Sequence, residues 1–355
     1  MRALLWLDPG AATVTGHVVQ GHIVQAERTA AALRSTQGVE AIVSSDEAVD
    51  VQQFDVVHSL GASRQQLRRA RLAGIPVAVS TIYWSADYVI GETALGSHVS
   101  QLASQFTRRA RVAQSVLRRG AGPTASQIWR PLVERALYFE TADLLLPNSY
   151  LEAAAIAAEL DVTTPMHVVP NGVDPEVFYP RIGESDRGFV LCVGRFEPHK
   201  NQLGLIHAMK RLPYPLKLVG PAHPHHSDYF DACQRAASSR VTFEVATSHE
   251  GLRAIYQSAR VHVLPSFFET TGLVSLEAAL SGCNVATTDR GFAREYFGEH
   301  ATYLDPSNSR SIAAAVEAAW HRSDASRLQK HVLENYTWAA VAEATNAGYE
   351  LLLAR

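Results

Sequence analysis

The chain alternates short apolar runs with stretches of helical pattern, and it does so twice along its length. The runs predicted as strands in the first half are Ala3–Leu7, Ala41–Ser44, Val56–His58, Val77–Ser80, Leu144–Pro147 and Met166–Val169. Those in the second half are Phe189–Gly194, Leu216–Gly220, Val241–Phe243, Val261–Leu264 and Asn284–Thr287. Strands that alternate with helices are typical of a parallel sheet covered by helices. The pattern therefore predicts an α/β protein.

Helices are predicted between these strands and at the end of the chain. They are Gln25–Leu33, Tyr150–Leu160, Gln202–Arg211, Asp228–Ser238, His249–Ser258, Thr271–Leu280 and Trp338–Leu353. A chain of 355 residues has the size of two ordinary domains. The turn-rich segment from Asn171 to Gly188 marks the boundary between them. We therefore expect one domain over residues 1–178 and a second over 186–335.

Composition excludes several classes of protein. The net charge of −3 gives no signature of nucleic-acid binding. Every apolar run is shorter than the ~18 residues that a membrane span needs. Cys192, Cys233 and Cys283 are scattered at spacings that fit neither a metal site nor a disulfide, so we expect them to be buried. Low cysteine content fits the reducing cytoplasm.

Two glutamates mark the most informative segment, Ser266–Gly282. A predicted strand runs into a loop that carries Glu269, and the loop opens a helix that contains Glu277, with Thr270 or Thr271 as its N-cap. The N-terminus of a helix offers unpaired N–H groups and a positive dipole end to an anion. Two acids beside an anion site suit a ligand with a diphosphate and several hydroxyls, such as a nucleotide sugar.

Two basic residues follow the first predicted strand of the second half. Arg195 and Lys200 come directly after Phe189–Gly194. Residues at the carboxyl ends of parallel strands line the ligand crevice of an open α/β sheet. An arginine can bind two phosphate oxygens at once, and a lysine supplies a point charge. A diphosphate site and a pair of solvated surface cations are both compatible with these residues alone.

Four blocks in this order resemble the retaining glycosyltransferases of family 4. Val168–Asp174 resembles the family's "PNGVD" segment, and Leu191–Asn201 resembles its "GR…KN" block. The segment from Glu269 to Glu277 resembles the Glu-x7-Glu motif, and Tyr336–Trp338 resembles the start of the last helix. The resemblance implies a GT-B fold, in which two Rossmann-like domains flank a cleft. It also implies that the C-terminal helix, 338–355, returns to the first domain.

The resemblance also implies a role for each donor-side residue. Glu277 would bind the ribose, Glu269 would contact the transferred sugar, and Arg195 and Lys200 would bind the diphosphate. Further donor contacts would come from Thr271, Gly272, Leu273 and Val274 at the helix start, from Val245 near the base, and from Gly21. The donor would be a nucleoside-diphosphate sugar of the UDP or GDP type. Retention would proceed without a metal ion or another cofactor.

The acceptor side departs from the family pattern. The usual glycine pair after the first strand is absent, and Gly21 is the best counterpart by spacing. The usual histidine after the fourth strand is also absent, and Tyr83 or Trp84 stands there instead. His58 ends a strand, where either an acceptor contact or a structural role is consistent with its position. The expected acceptor is a hydroxyl of a glycan, a lipid or a small molecule.

The region 106–139 is rich in arginine. Its arginines are Arg108, Arg109, Arg111, Arg118, Arg119, Arg130 and Arg135. Such a stretch fits either a solvated helical face or contact with anionic lipid or a phosphorylated acceptor. We therefore expect a cytoplasmic protein that is able to bind peripherally at the inner face of the membrane.

Other functions are less consistent with the sequence. Three histidines between Pro221 and His226 are predicted to lie in a polar loop rather than a metal site, which needs further ligands. An NAD-dependent oxidoreductase would carry Gly-x-Gly-x-x-Gly after its first strand, but Asp8–Ala12 follows instead. A nucleotide-sugar-binding protein that has lost catalysis remains the alternative, because the acceptor side is altered.

Overall fold

The computed structural model describes residues 1–8, 21–85, 125–181, 187–245 and 248–354. These residues fall into two compact units. The first contains residues 1–8, 33–85, 125–169 and 345–354, and the second contains 21–32, 170–181, 187–245 and 248–344. The change of unit at residue 169 lies earlier in the chain than the predicted boundary at 178.

The first unit is built on a five-stranded parallel sheet. Its strands are β1 (Arg2–Trp6), β2 (Glu40–Ser44), β3 (Val56–Ser59), β4 (Val77–Ser80) and β5 (Leu144–Leu146), in the order β2-β1-β3-β4-β5. Its helices are α1 (Gly21–Thr36), of which residues 21–32 group with the second unit, α2 (Arg64–Leu72), α3 (Ala125–Phe139) and α4 (Tyr150–Leu160). Leu4, Trp6, Val57, Val79 and Leu145 form the centre of its core.

The second unit has a six-stranded parallel sheet. Its strands are β6 (Phe189–Val193), β7 (Leu216–Val219), β8 (Val241–Glu244), β9 (Ala259–Leu264), β10 (Asn284–Thr288) and β11 (Thr302–Leu304). Its helices are α5 (Gln202–Met209), α6 (Ser227–Ala236), α7 (His249–Ser258), α8 (Leu273–Leu280), α9 (Ala293–Phe297), α10 (Ser309–His321) and α11 (Ala325–Asn335). Helices cover both faces of the sheet, since Val190 and Cys192 of β6 pack into one core and Leu191 and Val193 into another.

The last helix, α12 (Trp338–Leu353), begins in the second unit and ends in the first. Its residue Tyr349 is fully buried and bonds to His58 of β3 within the first unit, with 2.8 Å between the phenol oxygen and Nδ1. Gly348 lies so close to His167 that a Cβ would come within 3.1 Å of that ring. The predicted return of this helix to the first domain is confirmed.

The predicted strands agree with the structure to within about two residues at each end, with one exception. Met166–Val169 is not a strand. It makes an isolated bridge from Met166 to Leu145, and His167 donates to the Leu145 carbonyl at 2.9 Å. The segment therefore lies along β5 as an irregular edge rather than as a sixth strand. The cysteines are buried, as predicted. In the ranges that the structure describes, no helix combines the length and apolarity needed to span a membrane.

Candidate functional site

The candidate site lies at the carboxyl edge of the second sheet, where the strand order reverses. The order is β11-β10-β9-β6-β7-β8, so the chain builds outward from β6 on one side and then returns to start again at β9 on the other. In open α/β sheets, ligands bind in the crevice at this point. The loops after β6 and β9 carry the residues that the sequence singled out.

These two loops are joined by hydrogen bonds. The side-chain amide of Asn201 donates to the carbonyl of Pro265 at 3.2 Å and to that of Pro306 at 2.8 Å. The backbone N–H of Phe267 donates to the carbonyl of His199 at 2.9 Å. Asn201 adopts a left-handed conformation, with φ of 55°, which asparagine tolerates better than most residues. The loops therefore hold a fixed relative position.

Lys200 and Glu269 form an ion pair across the joined loops. The Lys200 Nζ lies 2.7 Å from Oε1 of Glu269, and their side chains are only 23% and 8% exposed. Burial alone would raise the pKa of Glu269, but the charge and hydrogen bond of Lys200 hold it below its ordinary value. Lys200 is therefore a paired, partly buried cation rather than a solvated surface cation. Glu269 is an ionised acid that already has a counterion.

Arg195 is the more accessible cation. Its side chain is 40% exposed, and its guanidinium lies 3.8 Å from a carboxylate oxygen of Glu197. Its carbonyl accepts a hydrogen bond of 2.7 Å from the side chain of Gln202, which fixes the backbone. The sequence reasoning did not include Glu197, although its position two residues after Arg195 indicates a neighbour in an extended loop.

Gly291 fixes the backbone of Glu269. The two residues form an isolated parallel bridge, and Phe292 donates to the Glu269 carbonyl at 2.8 Å. Gly291 has a φ of 99°, and a Cβ there would lie 2.1 Å from that carbonyl oxygen. Only glycine fits this conformation and this contact. The sequence reasoning did not identify Gly291, because its partner lies on another strand-end loop.

Glu277 lies half-buried in α8. Its Oε2 accepts a hydrogen bond of 2.9 Å from the hydroxyl of Tyr256, a residue of α7 that the sequence reasoning did not identify. Burial raises the pKa of Glu277 to about 7, and the hydrogen bond from Tyr256 and the charge of Arg28 oppose that rise. Glu277 therefore changes its charge near neutral pH, whereas Glu269 stays ionised.

The start of α8 differs from the prediction. The helix begins at Leu273, and its N-cap is Gly272 with φ of 80° rather than Thr270 or Thr271. The hydroxyl of Thr271 is buried and accepts a hydrogen bond of 2.8 Å from the side chain of Asn171. Gly272, Leu273 and Val274 lead into the first turn, whose N–H groups lie beyond the reach of intrahelical acceptors. The glycine cap leaves these groups without a competing side chain.

The remaining donor-side residues lie at element ends. Val245 directly follows β8 and is 60% exposed. Gly21 is the first residue of α1, which starts four residues before the predicted helix start at Gln25. The glycine-containing loop that precedes it lies outside the described residues.

The acceptor-side candidates are held inside the first unit. His58 is buried between the hydroxyls of Tyr349 and Ser80, at 2.8 Å and 2.9 Å, and burial lowers its pKa to about 3. This arrangement matches the structural role that was left open for it. Tyr83 is also buried, and its hydroxyl donates to Glu159 at 2.7 Å. Its neighbour Trp84 is 41% exposed.

The arginine-rich region 106–139 lies mostly outside the described residues, which resume at 125. Within α3, Arg135 lies over the ring of Phe139, 5.8 Å from its centroid. In the predicted histidine loop, the rings of His223 and His226 are 4.8 Å apart. Across the described ranges, no group of three or more His, Cys, Asp or Glu side chains has a geometry suited to a metal ion.

Comparisons with known proteins include the part of the chain that carries this site. Residues 180–335 match the family model of the glycosyl transferases group 1. The MMP α-(1→4)-mannosyltransferase of Mycolicibacterium hassiacum is 28% identical over 76% of this chain and 71% of its own length. The α-maltose-1-phosphate synthase of Mycolicibacterium smegmatis is 28% identical, but the match spans only 51% of this chain and 55% of that enzyme.

Solved structures share the fold along the whole chain. Sucrose-phosphate synthase from Thermosynechococcus elongatus superposes with a TM-score of 0.74 at 20% identity, covering 99% of both chains. HepE from Anabaena, solved with UDP-glucose, gives a TM-score of 0.70 at 15% identity, covering 99% of this chain and 100% of that one. The predicted pair of parallel Rossmann-like sheets, as in GT-B proteins, is confirmed. Together with the family model, the similarities support a glycosyltransferase.

Proposed function

We propose that the chain is a retaining glycosyltransferase of family 4 with a nucleoside-diphosphate sugar as donor, of the UDP or GDP type. The observation that carries this proposal is the Lys200–Glu269 ion pair at the ends of β6 and β9. The pair would supply a cation for phosphate beside an acid for sugar hydroxyls, and it lies at the edge of the sheet where α/β proteins bind ligands. The family model covers this same part of the chain.

The diphosphate would be bound by charge and by the helix start. Arg195 is exposed enough to bind phosphate oxygens in a bidentate manner. Lys200 would share its charge between Glu269 and a phosphate oxygen. The first N–H groups of α8, at Leu273 and Val274, would add the positive end of the helix dipole. These fixed positive groups would stabilise the charge that grows on the leaving diphosphate.

The two acids would bind the two sugars of the donor. Glu277 would accept hydrogen bonds from the ribose hydroxyls, and the base would lie near Val245. Glu269 would bind hydroxyls of the transferred sugar and stabilise the positive charge that develops on its ring. Lys200 keeps Glu269 ionised, which this role requires. HepE, which has the same fold, was solved with UDP-glucose and is consistent with a donor of this class.

The reaction would retain configuration without a side-chain nucleophile. The bond between the anomeric carbon and the phosphate oxygen breaks, and its electron pair stays on the diphosphate. The acceptor oxygen forms the new bond on the same face of the sugar, and its proton passes to the leaving phosphate oxygen. Arg195 and Lys200 supply the positive charge that a divalent cation supplies in metal-dependent transfer, so we propose that no metal is required.

The acceptor is proposed to be a hydroxyl of a glycan, a lipid or a small molecule. Residues 1–178 together with the last helix would form the acceptor domain, and 186–335 the donor domain. The protein would act in the cytoplasm. Peripheral contact with the membrane through the arginine-rich region 106–139 remains part of the proposal.

A thermal-shift screen in buffer with EDTA tests the proposal. UDP, GDP, UDP-glucose and GDP-mannose are the probes, because they separate the base from the sugar. A nucleotide at 100 times its Kd should add about 2.7 kcal/mol to the free energy of unfolding. Stabilisation by either nucleotide supports the donor site, and complete dependence on added Mg²⁺ or Mn²⁺ would overturn the metal-independent mechanism. Binding without hydrolysis or transfer would favour a nucleotide-sugar-binding protein instead.

A further inference from the structure

Tyr256 is a fully buried tyrosine beneath the proposed ribose site. It belongs to α7, and its ring packs edge-on against Phe178 and His262, each with 5.9 Å between ring centroids. It is part of the core on this side of the sheet, together with Leu276 of α8. The ring is therefore fixed, and its hydroxyl has a defined direction.

That hydroxyl points to the carboxylate of Glu277. The phenol oxygen lies 2.9 Å from Oε2 of Glu277. A carboxylate accepts hydrogen bonds at both oxygens. The contact with Tyr256 occupies Oε2, fixes the plane of the carboxylate and so sets the position of the other oxygen, Oε1. A hydrogen bond to an ionised group is stronger than one between neutral groups, which makes it an effective restraint on the side chain.

We propose that Tyr256 is a positioning residue for nucleotide recognition, which orients Glu277 so that Oε1 faces the two ribose hydroxyls of the nucleoside diphosphate. This inference rests on the proposed function, because it needs Glu277 to bind the ribose. It assigns specificity for ribose hydroxyls to a residue that does not touch the nucleotide. A Glu277 side chain without this restraint would sample other rotamers and would lose part of its affinity for the ribose.

The same contact predicts how nucleotide binding depends on pH. Tyr256 and Arg28 are the groups that act on the charge of Glu277, and His262 lies against the ring of Tyr256. Burial lowers the pKa of His262 to about 3 and raises that of Tyr256 well above its ordinary value, so both stay neutral between pH 5 and 9. Affinity should therefore fall as the pH decreases through about 7, where Glu277 takes up a proton.

Calorimetric titration of UDP and GDP into Tyr256→Phe between pH 6 and 9 tests the inference. We expect the Kd at pH 7 to rise about tenfold, the magnitude of one hydrogen bond to a charged group. We also expect the midpoint of the pH profile to move to higher pH, because the variant loses a group that lowers the pKa of Glu277. Tyr303→Phe is the matched control, since its hydroxyl donates at 2.6 Å to the carbonyl of Gly298 in the same unit.

A double-mutant cycle separates positioning from general packing. In a Glu277→Gln background the titration near pH 7 should vanish, and adding Tyr256→Phe should change the Kd little. An equal loss in both backgrounds, or an unchanged profile in Tyr256→Phe alone, would overturn the inference. If the wild-type protein binds UDP or GDP while Tyr256→Phe behaves as wild type, the proposed function stands without it. If the wild type binds neither nucleotide, both fail.

Discussion

The two sheets present very different chemistry at their carboxyl edges, although both are parallel sheets of Rossmann type. In the described part of the first unit, the polar groups at the strand ends bond to one another. His58 is buried between two hydroxyls, and Glu152 accepts from Thr81 at 2.8 Å and from the backbone of Asn148 at 2.6 Å. In the second unit, Arg195 is 40% exposed and reaches solvent.

The pKa values of His58 and Glu269 illustrate this difference, although His262 of the second unit is also a buried neutral histidine. Burial leaves His58 neutral at all physiological pH values, with a pKa lowered to about 3. In the second unit, Lys200 keeps Glu269 ionised despite burial. A polar residue at the end of a strand is therefore a better candidate for ligand binding when its neighbours keep it charged and when a ligand can reach it. This difference supports the proposal that the second unit recognises the donor.

The largest expected effect comes from removing the cations of the second unit. Lys200→Ala and Arg195→Ala should each lower the rate of sugar transfer by about 10²–10³, as for the loss of one fixed donor in a transition-state site. Lys200→Ala also leaves Glu269 without its counterion. Lys217→Ala is the control, because Lys217 pairs with Glu244 on the same sheet. Near-normal transfer by both variants would remove the cations from the mechanism.

A backbone change should have the next largest effect. Gly291→Ala places a methyl group against the Glu269 carbonyl and should displace Glu269, with a loss of about 10² in transfer rate. Gly74→Ala is a matched control in the first unit. Gly74 also has a positive φ, 78°, but a Cβ there meets nothing within 4 Å. Equal activity of the two variants would show that the position of Glu269 is unimportant.

Substitutions of Glu269 and Glu277 should affect different kinetic parameters. Glu269→Gln should mainly lower kcat, by about tenfold or more, since the transferred sugar that Glu269 would bind gains positive charge only in the transition state. Glu277→Gln should mainly weaken binding of donor and free nucleotide, because the ribose hardly changes during the reaction. Steady-state kinetics of both variants, combined with titration of free nucleotide, will show which variant loses kcat and which loses affinity. The reverse pattern would mean that the two roles are exchanged.

The smallest effect concerns Glu152 in the first unit. Burial raises its pKa from 4.5 to about 7, so between these values the folded protein holds a proton that the unfolded chain has lost. The free energy of unfolding should therefore fall as the pH rises through this window. Glu152→Gln should remove on the order of 1–3 kcal/mol of that dependence and leave nucleotide affinity unchanged. Chemical denaturation at pH 4.5, 6 and 8 measures it, and an unaltered slope would contradict the assignment.

Most of the fold was predictable from local pattern, because the central strands of both sheets are apolar runs buried on two faces. The short edge strand β11, which is mostly half-buried, was not predicted. Met166–Val169, which was predicted as a strand, pairs with β5 at only one bridge, and side-chain pattern does not report how many backbone bonds form. Glu269, Glu277, Arg195 and Lys200 were identified because the motifs that carry them are local.

The remaining features depend on contacts between distant parts of the chain. Thr271 does not cap α8, since its hydroxyl bonds to Asn171, which lies 100 positions away. Tyr256 reaches Glu277 from another helix, and Gly291 reaches Glu269 from the loop after another strand. The ion pair of Lys200 likewise joins residues 69 positions apart. No local sequence window contains both partners, so these features could be found only in the folded structure.

Hydrogen–deuterium exchange with and without saturating UDP or GDP tests most directly whether the second unit recognises the donor. We predict protection of backbone amides in the loop from Arg195 to Gln202 and in the segment from Ser266 to Glu277. The first-unit segments from Val56 to Leu60 and from Val77 to Ser85 should exchange at unchanged rates. Protection confined to those first-unit segments, or absent throughout with both nucleotides, would contradict the account.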